Sequence, residues 1–591
     1  MSDAHDTVRE ERNGETQAAP ADEAAAVSHP EPPARVGAPS SSIHGAIVAL
    51  ALCAVGIELC LLWLDRVAVH KAIAWPAAES LIRGLFRPFE TLFGSIHEDT
   101  SLTREQVKVA NLLTGFVPAF LLHVFATWLV LFRLPTNDRR VLKLLVGAAI
   151  VFRVTLVPFP PILETDLHRY VWDGAVSATH VNPYKYAPFE VSQLGQPGRR
   201  ELYTPEELGE LETLAQLLVK HPQLAAHFPR INHPKIPTIY PPLAQLLFSV
   251  AFRIAPGSDV PIKALVVLVD LAIVGLIVLL LAELGLNRCQ VVVYAWSPLI
   301  LKEYANTGHY DPLATLMVLV GLLLILRRMP VLPGIALALG TASKFYPLVV
   351  TLVLAPWLGV LGIVAYVATL AMMYVPYLGI GWRMFDGLRA MAADWEFNSS
   401  LFAVAERTIL QVFSGSFVAR LVLARKSAAS LLYDSDDVGV DAFLVAKVVC
   451  AGVGLAFVIW LLTRAAKEPA APVLRAFAVT AALVLLSPVS DPWYYAWVMP
   501  YAALFPSASW LYLSGSMVVY YLYFWSYPWG YLSGARPVEY LPFYVLLTSE
   551  HAETLRGWGA AVRGALGWPL RQAAAELKAL RGAGLARRKP S

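Results

Sequence analysis

Long apolar stretches recur along most of the chain and alternate with short polar segments. Runs of roughly 18 or more apolar residues are typical of membrane-spanning helices, because the hydrocarbon core of a bilayer is about 30 Å thick. The first such run covers about residues 43–64, and a second ends at Phe132 after a mixed amphipathic connection through Val109. A third extends from about Val141 to Pro158. The pattern predicts an all-α polytopic membrane protein with roughly ten to thirteen transmembrane helices.

Basic residues in the polar segments predict the direction in which each span crosses. The short loop from Arg133 to Arg140 carries three arginines, and the positive-inside rule places it in the cytoplasm. The third span then carries the segment from Glu164 to about Pro237 to the opposite face. The apolar stretch from Tyr240 to about Ile254 is predicted to be a re-entrant or interfacial helix, because counting it as a span would place Arg288 outside. Further basic positions that mark cytoplasmic turns are Arg327, Arg328, Arg464, Lys467, Arg475, Arg587, Arg588 and Lys589.

Composition divides the chain into segments of different character. Residues 1–42 are rich in Ala, Glu, Asp, Pro and Ser and hold almost no large apolar residues, so a disordered cytoplasmic tail is predicted. Residues 43–140 are predicted to form N-terminal transmembrane helices with an amphipathic outer connection. Residues 141–380 are predicted to form a transmembrane module that includes an outer loop at 159–237. A second outer loop is predicted over 381–440, C-terminal transmembrane helices over 441–548 and a basic tail over 549–591.

The overall composition excludes some classes of protein. Of the 591 residues, 57% are hydrophobic and only 15% are charged, as expected for a chain that lies mostly in a bilayer. A net charge of +3 is too small to indicate a nucleic-acid partner. Cys53 and Cys60 lie about 10 Å apart along one predicted helix, too far to form a disulfide.

The densest cluster of ionisable and aromatic residues follows the third span and begins with Glu164-Thr-Asp166. One carboxylate of such a pair can act as a general base, while the second raises its pKa or helps to hold a divalent cation. His168, Arg169 and Lys185 add groups that can bind phosphate oxygens. Aromatic residues that suit an interface or a sugar face are Tyr170, Trp172, Tyr184 and Tyr186. These residues predict an acid–base site for a phosphate-bearing or hydroxylated ligand; the alternative is a solvated, salt-bridged loop cap.

The order of motifs along the chain resembles that of a known superfamily. The segment E-T-D-x-x-x-Y-x-x-D-G from Glu164 is followed by Asn182-Pro-Tyr184, Tyr240-Pro-Pro-Leu243, Asp270, Trp296-Ser-Pro298, Asn306-Thr-Gly308-His-Tyr-Asp311 and Ser343-Lys344-Phe-Tyr346-Pro347. This order resembles the GT-C superfamily of integral-membrane glycosyltransferases. Within it, the chain is similar to bacterial polyprenol-phosphate-mannose-dependent enzymes and to the first mannosyltransferase of GPI-anchor assembly. The resemblance covers about residues 140 to 360.

The resemblance implies a GT-C-type bundle with a large catalytic outer loop. It implies that a hexose passes from a polyprenyl-phosphate donor to a lipid or glycan acceptor with inversion at the anomeric carbon. By the same resemblance, the hexose is expected to be mannose. The active site would face outward from a bacterial inner membrane. Asp166 would be the general base and Glu164 its partner. Because a glutamate replaces the family's first aspartate, the need for Mg²⁺ or Mn²⁺ at this pair is left open.

Other residues receive roles in the same scheme. Arg169 and Lys344 are expected to meet the charge that develops on the leaving polyprenyl phosphate, although Lys344 could instead reach the interface as a snorkelling side chain. The remaining predicted substrate-binding residues are His168, Asp173, Tyr184, Tyr240 and Tyr346. His309 and Asp311 are either ligand-binding residues or a hydrogen-bonded helix start. The segment Asp491-Pro-Trp-Tyr-Tyr495 resembles a P-W-Y-x-x-W segment in late spans of such enzymes; the alternative, an aromatic belt, is slightly preferred.

A second class of function is a transporter or flippase that moves a lipid-linked or glycan substrate without chemistry. A secondary transporter should show two similar halves with paired broken helices near the midplane. The sequence shows no convincing repeat of this kind, and a flippase would not need an acidic pair beside an aromatic-rich loop. The enzyme is therefore the preferred interpretation.

Overall fold

The computed structural model of the chain describes residues 40–69, 104–413, 422–423, 440–466, 468–526 and 535–552. Most of the predicted N-terminal tail, the connection at 70–103, much of the second outer loop after residue 413 and the basic tail from residue 553 lie outside this description. Predictions for those segments, including the basic positions Lys467, Arg587, Arg588 and Lys589, stay predictions.

Helices form nearly all of the described structure, as predicted. Among the described residues, five helical segments are long and apolar enough to cross a membrane: Ile43–Leu64, Asn111–Phe132, Val260–Glu283, Tyr346–Ala393 and Ala442–Thr463. Shorter apolar helices are Pro242–Ile254, Pro312–Leu326, Leu332–Thr341 and Ala471–Leu486. These helices indicate a multi-pass membrane protein, whereas the count of ten to thirteen spans stays a prediction.

The predicted third span differs from the other long helices. It forms the 18-residue helix Arg139–Leu156, which begins at Asp138, whose carboxylate accepts hydrogen bonds from the backbone of Arg140 and Val141. The helix carries four basic residues and is therefore not among the five membrane-length candidates. Arg153 is fully buried, and its charge is paired there, since its Nε donates to Oδ2 of Asp270 at 2.7 Å.

This ion pair also gives Asp270 its place in the fold. Its second carboxylate oxygen accepts a hydrogen bond from the Tyr294 hydroxyl at 2.6 Å, and Arg153 donates to the carbonyl of Ala295 at 2.8 Å. Asp270 is thus a structural polar contact that joins three helical segments. Removing one partner of a buried pair leaves an uncompensated charge and typically costs about 3–5 kcal/mol.

The predicted outer loop is itself folded into helices. The longest, Pro205–Lys220, begins with a capping box in which Thr204 Oγ1 accepts from the backbone of Glu207 and the Glu207 carboxylate accepts from the backbone of Thr204. Other helices of this loop are Asp166–Ser177, Pro188–Gln193 and Pro222–His227, with 3₁₀ turns at Arg200–Leu202 and Phe228–Arg230. The loop is therefore a compact helical cap.

The Pro242–Ile254 helix packs tightly against the first helix of this cap. Its 13 residues span only about 20 Å, which suits the predicted short helix better than a full crossing. An added Cβ at Gly174 would lie 2.4 Å from the carbonyl oxygen of Phe248, so a glycine is needed at this crossing. The close contact ties the Asp166–Ser177 helix, which begins with Asp166, to the Pro242–Ile254 helix.

The remaining elements complete the bundle. The Tyr346–Ala393 segment consists of the α-helix Tyr346–Tyr374, the 3₁₀ helix Val375–Phe385 and the α-helix that begins at Asp386 and ends at Asp394. Further α-helices are Val292–Ala295, Pro298–Ile300, Leu401–Phe413, Pro492–Tyr495, Met499–Leu504, Ala508–Ser516, Leu522–Ser526 and Ala535–Glu550; further 3₁₀ helices lie at Arg288–Val291 and Met517–Tyr521. The segment Leu301–Asn306 forms a π-helical turn. Two two-residue strands, Val422–Leu423 and Val440–Asp441, pair in parallel with Val422 opposite Val440.

Candidate active site

A cavity of about 750 Å³ lies between the helical cap and the C-terminal helices. Its volume is in the range of about 300–1,000 Å³ that is usual for small-molecule sites. One wall comes from the cap and carries Glu164 and Asp166. Lys344 enters from the turn before the Tyr346 helix, and the second outer segment adds Trp395 and Glu396. The opposite wall comes from residues 489–524.

The acid pair stands on a sharp turn that leads into a helix. Leu163 adopts the left-handed conformation with φ of 52°, which reverses the chain just before the pair. Oε1 of Glu164 then accepts hydrogen bonds from the backbone N–H groups of Thr165 and Asp166, at 2.7 and 2.8 Å. Asp166 is the first residue of its helix, where the helix dipole favours a carboxylate.

Asp166 is the more accessible of the two acids. Its side chain is 20% exposed against 8% for Glu164. Asn232 donates to Oδ1 at 2.5 Å, and the Tyr170 hydroxyl donates to Oδ2 at 3.4 Å. Burial and repulsion from Glu164 raise the pKa of Asp166 to about 6, although His309 and Asn232 act in the opposite direction. Such a carboxylate is ionised yet basic near neutral pH, as a general base requires.

His309 lies directly behind the pair. Its Nε2 is 3.3 Å from Oε2 of Glu164 and 3.9 Å from Oδ2 of Asp166. On the other side of the ring, Nδ1 is 2.8 Å from Oγ1 of Thr307 and 3.4 Å from Oε2 of Glu303. Because the Thr307 hydroxyl donates to the Glu303 carbonyl, its oxygen accepts from the histidine. Both ring nitrogens therefore face acceptors, as in the doubly protonated, positively charged form.

The pKa values of this pair reflect that arrangement. Burial lowers the pKa of His309, but attraction to Glu164 and Glu303 outweighs it and raises the pKa to about 10. Burial likewise raises the pKa of Glu164, but the positive charge of His309 outweighs it and lowers the pKa to about 2. Glu164 and His309 thus form a buried ion pair.

These residues also form a donor set that could hold a divalent cation. Ligand atoms of Glu164, Asp166 and His309 all lie within 4.8 Å of one another. A histidine ligand must be deprotonated, however, and here a cation would have to displace a ring proton whose pKa is about 10. The predicted metal site at Glu164 and Asp166 therefore stays a prediction, and its donor set includes His309.

Lys344 faces the cavity with a carboxylate behind it. Its Nζ donates to Oδ1 of Asp311 at 2.5 Å, and the indole N–H of Trp497 donates to the same oxygen at 2.7 Å. The ammonium lies 4.5 Å from the centroid of the Tyr494 ring and 5.1 Å from that of Trp497. Asp311 is fully buried, whereas Lys344 remains 17% exposed. These contacts hold the lysine in the cavity and argue against the snorkelling alternative.

Two of the predicted tyrosines also line the cavity. Tyr346 stacks on Trp497 with ring centroids 4.2 Å apart, and its hydroxyl donates to Oγ1 of Thr315 at 3.1 Å. Tyr240 meets the rings of Tyr170 and Tyr310 edge to face, at 5.1 and 5.4 Å. Rigid aromatic faces of this kind suit a sugar ring or an isoprenoid chain.

Arg169 reaches the cavity, but its predicted neighbour Asp173 does not. Nε of Arg169 donates to Oδ1 of Asp173 at 2.8 Å, and Nη1 donates to the carbonyl of Ile236 at 3.0 Å. Asp173 is buried and accepts a further hydrogen bond from the Thr238 hydroxyl at 2.5 Å. The structure therefore places Asp173 as the counter-ion that orients Arg169, not on the cavity surface.

His168 and Tyr184 also lie away from the lining residues. Nδ1 of His168 is 2.6 Å from Nδ1 of His227, at the end of another cap helix, Pro222–His227. Burial and the neighbouring His227 lower the pKa of His168 to about 4, so the pair is neutral at pH 7. Tyr184 is buried, and its hydroxyl donates to the carbonyl of Tyr240 at 2.8 Å. It supports the wall of the cavity from behind.

Sequence reasoning gave too little weight to the C-terminal wall. Trp493 stacks on His309 with ring centroids 4.0 Å apart, and Asp491 lines the cavity although it is mostly buried. Burial, Asp166 and Glu164 all raise the pKa of Asp491 well above its usual range, so these three acids face one space. The signal in the sequence is an acid beside a Pro-Trp-Tyr-Tyr run, a pattern that is equally typical of an aromatic belt.

Part of the C-terminal wall of the cavity lies in a segment that matches a known family model. No curated protein and no solved structure matches the chain. Residues 426–548, which include Asp491, Trp493 and Trp497, match the family model described as the MptB C-terminal domain.

Proposed function

We propose that this protein is a membrane glycosyltransferase that moves mannose from a polyprenyl-phosphate donor to a glycan or lipid acceptor. The matched C-terminal segment supports it, since the MptB family is a mannosyltransferase family. The observation that carries the proposal is that a carboxylate with a raised pKa, Asp166, and two cations, Arg169 and Lys344, line one cavity. A base and a site for a leaving phosphate are what this reaction needs.

The reaction would be a single displacement. The acceptor hydroxyl attacks C1 of the donor sugar while Oδ of Asp166 takes its proton. The new C1–O bond forms as the bond from C1 to the phosphate oxygen breaks, and polyprenyl phosphate leaves with the electron pair. Attack from the face opposite the leaving group inverts the anomeric carbon.

Charged groups around the cavity would stabilise the leaving phosphate and the acid pair during this step. Lys344 and Arg169 stabilise the charge that develops on the departing phosphate. His309 neutralises Glu164, so that the acid pair holds one uncompensated negative charge, on Asp166. This role gives His309 the counter-charge function that a divalent cation would otherwise supply, and no step needs a bound metal.

The membrane arrangement belongs to the same proposal. The bundle would be of the GT-C type, with its catalytic module over residues 141–380 and its cavity on the non-cytoplasmic face of a bacterial inner membrane. The basic loop at 133–140 precedes the cap by one helix, which supports placing the cap on the opposite face. Tyr346 and Trp497 would hold the sugar or the first isoprene units against their rings.

The decisive experiment compares wild type with Asp166→Asn. Membranes containing either form are given radiolabelled polyprenyl-phosphate mannose and a lipid extract that contains acceptors, and labelled product is followed over time. We expect the variant to lose at least about 100-fold in rate at equal expression, because it lacks the base. Asp386→Asn is the matched control, since this acid is 44% exposed and does not line the cavity.

Either of two results would contradict the proposal. Equal transfer by wild type and Asp166→Asn would remove Asp166 from the chemistry. Movement of labelled donor across sealed vesicles without any labelled product would favour the transporter or flippase alternative.

A further inference from the structure

An irregular stretch of the second outer segment, residues 395–400, forms part of the cavity wall. Its first three residues, 395–397, line the cavity, and its last three, 398–400, are buried. Asn398 adopts the left-handed conformation with φ of 48°, so the chain turns between the two halves of the stretch. A backbone held in this conformation needs support from its surroundings.

The C-terminal part of the chain supplies that support. The backbone N–H of Phe397 donates to the carbonyl of Pro488 at 3.0 Å, and the backbone N–H of Ser490 donates to the carbonyl of Phe397 at 2.9 Å. The side chain of Asn398 donates to the carbonyl of Ser490 at 3.3 Å. The Tyr540 hydroxyl donates to the carbonyl of Asn398 at 2.7 Å. These bonds fix the stretch to the C-terminal wall of the cavity.

Glu396 is the acid that this stretch presents to the cavity. Its side chain is 11% exposed, and Nη2 of Arg536 donates to Oε1 at 3.0 Å. The Ser399 hydroxyl donates to the same oxygen at 2.6 Å. A carboxylate with so little exposure is costly unless it is hydrogen-bonded. The two bonds therefore hold the Glu396 carboxylate in place at the cavity wall.

Aromatic rings surround this acid. Phe397 meets the rings of Tyr520 and Tyr523 edge to face, with centroids 5.4 and 4.9 Å apart, and all three residues line the cavity. Tyr520 is also hydrogen-bonded to Asp491, a second acid of the lining. This part of the cavity therefore combines carboxylates with aromatic faces.

The charges of the lining argue for a neutral ligand beside Glu396. Among the described residues that line the cavity, the lysine and arginine side chains are Arg169 and Lys344. A phosphate is attracted to those two cations and repelled by Glu396 and Asp491. A sugar ring is neutral, so its apolar face can pack on an aromatic ring while its hydroxyls donate charge-assisted hydrogen bonds to a carboxylate.

We propose that Glu396, Phe397 and Tyr523 form a subsite that binds the acceptor through the hydroxyl groups and one ring face of a sugar. The proposal rests on the proposed function and narrows the acceptor to a molecule whose reacting end is a sugar. In a single displacement the acceptor and the leaving phosphate lie on opposite faces of the donor sugar. The acceptor therefore needs a site apart from Arg169 and Lys344.

The test uses methyl α-mannoside as a soluble probe of the subsite. Purified protein is titrated with the probe, and saturation-transfer NMR gives its Kd without any chemistry. Steady-state transfer from radiolabelled polyprenyl-phosphate mannose to the same probe gives separate KM values for donor and acceptor. Glu396→Gln should raise the Kd and the acceptor KM roughly tenfold, because it removes a charged hydrogen-bond acceptor, and should leave the donor KM within about twofold of wild type.

Two further variants keep this test decisive. Glu283→Gln is the matched control, since this acid also pairs with an arginine, Arg327 at 3.3 Å, but does not line the cavity. Its constants should equal those of wild type. Phe397→Leu leaves every charge in place and removes one ring, so it should raise the Kd and the acceptor KM about threefold even if Glu396→Gln fails to fold.

Three results would overturn the subsite. They are a wild-type protein that does not bind methyl α-mannoside, a Kd and an acceptor KM that are unchanged in both Glu396→Gln and Phe397→Leu, and a rise in the donor KM alone. The last result would assign Glu396 to the sugar of the donor.

Failure of the proposed function gives a different result. If Glu396→Gln weakens binding of the probe but no sample transfers sugar, the subsite stands and the transferase does not. If wild type transfers sugar and Glu396→Gln leaves the Kd and the acceptor KM unchanged, the transferase stands and the subsite does not.

Discussion

The indole N–H of Trp497 donates to Oδ1 of Asp311 at 2.7 Å, and this one bond joins two distant parts of the chain. Trp497 belongs to the segment that matches the MptB C-terminal domain, while Asp311 follows the π-helical turn Leu301–Asn306. The same oxygen holds Lys344 at 2.5 Å. The position of a cavity-lining cation therefore depends on both parts of the protein.

Trp497→Phe should weaken sugar transfer without unfolding the protein. Phenylalanine retains an aromatic ring for Tyr346 and Lys344 but cannot donate to Asp311, whose other carboxylate oxygen is already buried without a partner. A hydrogen bond to a charged group is worth about 1.5–3 kcal/mol, so kcat/KM should fall roughly 10- to 100-fold. Transfer kinetics with purified donor measure the loss, and Trp382→Phe, at a position 79% exposed, is the control. Unchanged kinetics in Trp497→Phe would separate Lys344 from the phosphate site.

The pH dependence of transfer should report the ionisation of Asp166. A base works only when deprotonated, and the pKa of Asp166 is raised to about 6. kcat/KM should therefore fall about tenfold for each pH unit below 6 and be level from about pH 7 upward. Glu164→Gln removes a repelling charge and should move this limb to lower pH by about one unit. A wild-type limb near pH 4, or a limb that Glu164→Gln moves upward, would contradict the assignment.

The positions of the long apolar helices and of the acid pair could be predicted from sequence alone. Apolar runs report membrane helices because the bilayer imposes a length, and Glu164 and Asp166 stand out as acids beside such a run. Composition predicts the cap at 159–237 only as a loop, whereas Thr204, Pro205 and Glu207 carry the local signature of a capped helix, which the structure contains.

The rest of the site could not be read from the chain, because it depends on contacts between distant residues. His309 acquires its charge from Glu164 and Glu303, and Trp493 lies against it only in the folded bundle. Asp173 lies seven residues after Asp166 on the same helix. It forms an ion pair with Arg169, one helical turn before it. Spacing in the sequence predicts which residues share a helix face. Contacts with side chains from other helices determine which of these residues reach the cavity.

Removal of divalent cations should leave transfer intact. The charge of His309 already balances Glu164, and a cation would have to displace its proton. Protein purified in chelator, with its metal content checked by mass spectrometry, should transfer mannose at the rate of the untreated sample. Loss of activity that Mg²⁺ or Mn²⁺ restores would instead assign a cation to Glu164 and Asp166, with His309 as its third ligand.

Gly174→Ala should separate the Asp166–Ser177 helix of the cap from the Pro242–Ile254 helix. The added methyl group would lie 2.4 Å from the Phe248 carbonyl oxygen, so the two helices must move apart. Overpacking of this kind costs about 1–3 kcal/mol, and thermal unfolding in detergent should begin several degrees earlier than in wild type.

The matched control for this change is Gly209→Ala. Gly209 is an exposed position of the Pro205–Lys220 helix with no atom within 4 Å of the added Cβ. There the same substitution should raise stability slightly, by up to about 1 kcal/mol, because alanine favours the helix. In Gly174→Ala transfer should fall as well, since Tyr170, on the same helix as Asp166, stacks on Phe248 with centroids 4.8 Å apart. If Gly174→Ala were as stable and active as Gly209→Ala, the close crossing of these helices would not be what holds Asp166 at the cavity.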